Sequence, residues 1–170
     1  DELGNPLPGV TVEVFPLETG AGYRQRVADA GNDGSFRIEN AGAGWQKVRV
    51  NHKKAGWSVD VATLNLSGYD QEVTLELPPG RIDGRITLGE DGVPPAEKRI
   101  YPGITLRRLR TDRAGATGPN IAIAYPDRTG RFDMRGLPEG EYRLSVRVDG
   151  YHSEERNVEV RSGKPVPPVG

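Results

Sequence analysis

Asp33-Gly34-Ser35-Phe36-Arg37-Ile38, followed by Gly42-Ala43-Gly44 and Lys47-Val48-Arg49-Val50, returns later in the chain as Thr129-Gly130-Arg131-Phe132-Asp133-Met134, followed by Pro138-Glu139-Gly140 and Arg143-Leu144-Ser145-Val146. One constant offset relates Gly34 to Gly130, Phe36 to Phe132, Gly44 to Gly140, Val48 to Leu144 and Val50 to Val146. Self-similarity over this many positions means that one small unit is used twice. In each copy a glycine marks a tight turn, a phenylalanine two residues on points into a core, and apolar and polar residues then alternate as in a strand with one buried face. The repeated unit is therefore a β-unit.

Composition agrees. Among 170 residues there are 23 Gly and 14 Pro, so the long Gly- and Pro-free stretches that helices need are scarce. The repeat divides the chain into two domains, 1–79 and 80–170, each large enough to bury a core but with modest stability to spare. A net charge of −1 with interspersed signs leaves no basic stripe for nucleic acid. No apolar run approaches the roughly 20 residues of a membrane span. The absence of cysteine removes disulfides, thiolate nucleophiles and sulfur-ligated metals together.

Alternation predicts strands over 10–15, 23–29, 35–39, 45–51, 57–62 and 72–77 in the first domain. Pro78-Pro79-Gly80 cannot continue a ladder and marks the boundary. The second domain reads as strands over 81–88, 104–110, 121–125, 131–135, 142–148 and 157–160, with a turn over 91–95. The fold expected is all-β: two tandem seven-stranded antiparallel Greek-key β-sandwiches, Ig-like in general build. The strand over 81–88 has no counterpart before Asp1, and that over 72–77 has none before Gly170. We therefore expect a fragment of a longer protein that lacks an edge strand at each end, and an edge so exposed is open to pairing. An alternative is that the two ends complement each other.

A Gly-x-Phe-x-Ile/Met strand, then Gly-Leu-Pro-x-Gly-x-Tyr, then a strand ending in Gly-Tyr, resembles the carboxypeptidase regulatory-like domain family. Its carriers are Gly130, Phe132, the run Gly136-Leu137-Pro138-Glu139-Gly140-Glu141-Tyr142, and Gly150-Tyr151. In the first domain, the turn over 4–9 with Val10-Thr11-Val12 looks like the family's opening, and Ala55-Gly56-Trp57 like its Gly-Tyr. Ala41-Gly42-Ala43-Gly44-Trp45 departs from the Leu-Pro-x-Gly-x-Tyr pattern. The resemblance implies a transthyretin-like, or prealbumin-like, β-sandwich of the kind carried as an accessory module by secreted and envelope proteins. It brings no shared catalytic residues and no cofactor.

Candidate chemistry is thin. His52 and His152 are the only histidines, whereas a metal site needs three or four convergent ligands. Asp29-Ala30-Gly31-Asn32-Asp33-Gly34 lacks a ligand at Gly31 and places Asn40 where a calcium loop needs glutamate, so it reads as a hairpin turn. No Gly-x-Ser-x-Gly elbow is present. Lys98 with Asn157 is the one pair to check for the Lys-Asn isopeptide bond of related sandwiches. The expectation is a non-enzymatic spacer, adhesion or accessory module of an exported bacterial protein, at the cell surface, in the periplasm or outside the cell. Its partners would be other domains of the parent protein, a cell-surface protein or polysaccharide. Two alternatives stand beside it. One is a carbohydrate-binding module stacking sugars on Trp45, Trp57 and Tyr151, with Tyr69, Tyr101 and Tyr125 as further rings; the other is a regulatory domain docked on a peptidase or outer-membrane transporter.

Overall fold

A computed structural model describes residues 5–17, 24–87, 102–109, 117–148 and 154–161. All regular structure among them is β. The first repeat supplies β1 (Thr11–Pro16), β2 (Arg26–Asp29), β3 (Gly44–His52) and β4 (Trp57–Leu66). The second supplies β5 (Gly80–Arg85), β6 (Gly103–Leu109), β7 (Thr117–Ala124), β8 (Arg131–Leu137), β9 (Gly140–Arg147) and β10 (Glu154–Val160). Eight strands form one antiparallel sheet in the order β10-β9-β6-β7-β4-β3-β1-β2, and β5 and β8 form a separate antiparallel pair.

The order of the large sheet contains the repeat. The arrangement β4-β3-β1-β2 of the first copy recurs as β10-β9-β6-β7 in the second. The two fours meet edge to edge where Trp57, Ser58 and Val59 of β4 lie opposite Ala124, Ile123 and Ala122 of β7. Tyr125 N–H donates to Gly56 O at 2.7 Å and prolongs this joint. Each repeat thereby covers one edge of the other, which removes two rows of unpaired backbone groups from water.

The repeated glycines do the same backbone work twice. Gly34 N–H donates to Gly31 O at 3.0 Å and Gly31 N–H to Ser35 O at 2.8 Å; Gly130 N–H donates to Asp127 O at 3.0 Å and Asp127 N–H to Arg131 O at 2.8 Å. Both turns place their glycine at positive φ, +75° and +83°, where a Cβ is penalised.

The β5–β8 pair packs over the second repeat's half of the large sheet. Ile82, Phe132 and Met134 join Ile104, Leu106, Tyr142 and Leu144 in one core, which continues through Val50, Trp57, Val59 and Leu77 of the first repeat. Gly136, at φ +73°, lies under Leu77 and Val59 of the first repeat, so this core crosses the repeat boundary. Val12, Val14 and Val48 form a smaller cluster of their own, flanked by the half-buried Phe36, Ile38, Leu64 and Leu75.

Two expected strands are corrected. Residues 35–39 and 72–77 are not strands. Their side chains alternate over most of their length, with Phe36, Ile38, Leu75 and Leu77 turned inward between exposed Arg37, Glu39, Thr74 and Glu76, whereas Val73 is exposed. Alternation sets which side a residue faces, whereas a strand also requires a partner, and none pairs with either segment among the described residues. Strand β4 runs beyond 62 to Leu66 because Val61 is an extra residue: Val48 opposes Ala62 while Arg49 opposes Asp60, and this bulge keeps apolar residues on the inner face on both sides of it. The expected turn over 91–95 lies outside the described residues.

Candidate functional site

A broad concavity opens on the inner face of the first repeat. Because side chains alternate along a strand, Val12 and Val14 of β1, Gln46 and Val48 of β3 and Leu64 of β4 share one side of the sheet and make an apolar floor. The segments around Phe36 and Leu75 stand as walls, and the trough between them holds about 1090 Å³. Small-molecule pockets span roughly 300–1,000 Å³, so this one lies just above that range and is open to solvent. Its rim is polar, with Arg37 and Glu39 paired at 3.6 Å on the surface.

One polar side chain sits in the floor. Gln46 is 2% exposed, and its Oε1 has no hydrogen-bond partner. An unpaired buried acceptor costs about 1–3 kcal/mol. At the same offset in the second repeat stands Tyr142, fully buried, whose hydroxyl donates to Pro138 O at 2.6 Å. Burial pushes the Tyr142 hydroxyl pKa upward, against a smaller opposing effect of the Arg108 charge. Equivalent positions thus carry a satisfied polar group in one repeat and an orphaned one in the other.

The outer face of the same strands is an electrostatic mesh. Asp60 receives Arg49 Nε at 2.6 Å and lies 3.2 Å from Lys47 Nζ, and both cations stand over the Phe15 ring, at 5.1 and 5.7 Å from its centroid. At its end, Leu17 N–H donates to Trp45 O, which sets two exposed apolar side chains opposite each other.

Of the expected stacking residues, Trp45 is 52% exposed on this outer face. Trp57 is 3% exposed, in the core, with its ring 5.6 Å from that of His52 and tilted by 49°, so it offers no face to a sugar. Tyr151 lies outside the described residues, as do Tyr101, Lys98 and His152. Tyr69 and Tyr125 are exposed. Asn157, on β10, has Arg143 Nε 3.5 Å from its Oδ1.

The remaining candidate ligands are engaged in turns. His52 Nδ1 accepts from Ala55 N–H at 3.2 Å within the β3–β4 hairpin. Asp33 Oδ1 accepts from Ser35 Oγ at 2.7 Å and from Ser35 N–H at 3.0 Å, and Asp29 Oδ1 accepts from Thr11 Oγ1 at 2.7 Å. Hydrogen bonds from Ser35 hold the Asp33 carboxyl below the usual carboxylate range, and Thr129 does the same for Asp127. Among the described residues no three His, Cys, Asp or Glu side chains converge as a metal site would require.

Gln46 and the trough escaped the sequence reading. The signal was a glutamine at an inward position of an alternating strand, in phase with Val48 and Val50, where the other repeat has a tyrosine.

No protein-family model, curated protein or solved structure matches this chain.

Proposed function

We propose that the chain is a non-catalytic structural and interaction module, a pair of carboxypeptidase regulatory-like units serving as a spacer or adhesion element of a larger exported protein. In this reading each repeat belongs to a transthyretin-like Greek-key sandwich. The observation that carries the proposal is the β4–β7 joint. Two repeats hydrogen-bonded through their sheet edges and sharing a core transmit force and orientation as one body, which suits a spacer. The repeated residues support it too: Gly34 and Gly130 shape turns, and Phe132 and Tyr142 fill the core, which leaves little of the repeat for chemistry.

Trp45 favours a second reading, carbohydrate binding, because a half-exposed indole beside exposed Leu17 is a surface on which a sugar ring can stack. Tryptophan fluorescence titrated with soluble polysaccharides separates the two. The module reading predicts no saturable change. A saturable shift that Trp45→Ala abolishes, with the fold intact, would replace it with the carbohydrate-binding reading.

A further inference from the structure

The trough of the first repeat is occupied in the second. Strand β8, the counterpart of 35–41, is covered by β5, with Gly84 opposite Phe132 and Ile82 opposite Met134. Phe132 and Met134 are consequently 6% and 1% exposed. Phe36 and Ile38, at the same offset, are only half-buried, and no described residue pairs with their backbone. The repeat itself therefore says what kind of segment covers such a face.

We propose that this trough is a strand-acceptor site, taking an extended peptide of the β5 type: apolar at alternate positions, glycine between them, polar on the outside. The inference deepens the interaction-module reading and rests on it for its biological use. Three features support it independently of the repeat. The wall segments turn Phe36, Ile38, Leu75 and Leu77 inward between exposed residues, and no strand pairs with 36–39 among the described residues, so that stretch is a template for an added strand. The floor is apolar at Val12, Val14 and Val48, each at most 6% exposed. And Gln46 Oε1 is a buried acceptor without a donor, which a polar hydrogen of the incoming segment would supply. In the added strand a glycine between the apolar positions stands opposite Phe36, as Gly84 stands opposite Phe132.

The register follows from β5 and β8. The added strand runs antiparallel to 35–40, with glycine opposite Phe36 and an isoleucine opposite Ile38. A synthetic peptide of sequence Gly-Arg-Ile-Asp-Gly-Arg-Ile-Thr, that of 80–87, is the probe, labelled at its N-terminus and titrated against the full chain by fluorescence anisotropy. We expect saturable binding, at least tenfold tighter than for the peptide carrying Ile82→Asp and Ile86→Asp, and slowed amide exchange over 35–40 on binding. Keeping the substitutions in the peptide leaves the folding of the protein untouched. Absence of saturable binding, equal affinity for the aspartate peptide, or exchange protection elsewhere than 35–40 and 71–77 would overturn the proposal. Its failure would leave the polysaccharide titration, and hence the spacer reading, unaffected.

Discussion

Replacing Gly136 with alanine probes the contact between the two repeats, and its cost can be worked out from two separate sources. The residue sits at φ +73°, a conformation that costs an L-residue about 1–2 kcal/mol. A Cβ there would come within 3.0 Å of Leu77 Cδ2 and 3.3 Å of Val59 Cγ1, both side chains of the first repeat. Crowding a packed core in this way adds typically about 1–3 kcal/mol. The expected loss is therefore about 2–5 kcal/mol. Two other glycines calibrate it. Gly9 has φ +75° with open space around a Cβ, so Gly9→Ala carries the backbone cost alone, about 1–2 kcal/mol. Gly103 has open space and no positive φ, so Gly103→Ala is expected to be neutral or stabilising by up to about 1 kcal/mol. Urea unfolding followed by the fluorescence of buried Trp57 measures all three. If Gly136→Ala cost no more than Gly9→Ala, Leu77 and Val59 would not be packed on the second repeat, and the shared core would be refuted.

Two further perturbations test the asymmetry between the repeats. Phe132→Ala should cost about 3–5 kcal/mol and Phe36→Ala no more than about half of that, because Phe132 is buried under β5 while Phe36 faces the open trough; equal losses in urea unfolding would show that Phe36 is covered. Tyr142→Phe should cost about 1–2 kcal/mol at neutral pH through the lost bond to Pro138 O. Because burial raises the Tyr142 pKa, the neutral hydroxyl's advantage is complete below the unfolded value near 10 and is lost as pH rises through the folded value. Unfolding curves at alkaline pH should accordingly fall more steeply for the wild-type chain than for Tyr142→Phe; parallel declines would contradict the assignment.

What the sequence makes legible here is local. Alternation and turn glycines locate β1, β3, β6, β8 and β9 to within a residue or two, since each such signal is written in neighbouring side chains. The β4–β7 joint leaves no such mark: Trp57-Ser58-Val59 and Ala122-Ile123-Ala124 would read the same at a free edge. Residues 35–39 show the converse, a correct inside-outside pattern without a ladder, because pattern describes one segment and pairing needs two. The same distinction governs the site. Trp45 stands out by residue type, whereas Gln46 acquires meaning only once its neighbours are known to bury it and leave Oε1 unpaired.

The most direct test of the account is amide hydrogen exchange across the β4–β7 joint. One continuous sheet predicts that the hydrogen-bonded amides among Trp57, Ser58, Val59, Ala122, Ile123 and Ala124 exchange as slowly as those of β3 and β6, through opening of the whole molecule. Exchange at those positions as fast as at the edge strand β2, with β3 and β6 still protected, would mean that the two repeats are not joined through their sheets, and the spacer built on that joint would fall with it.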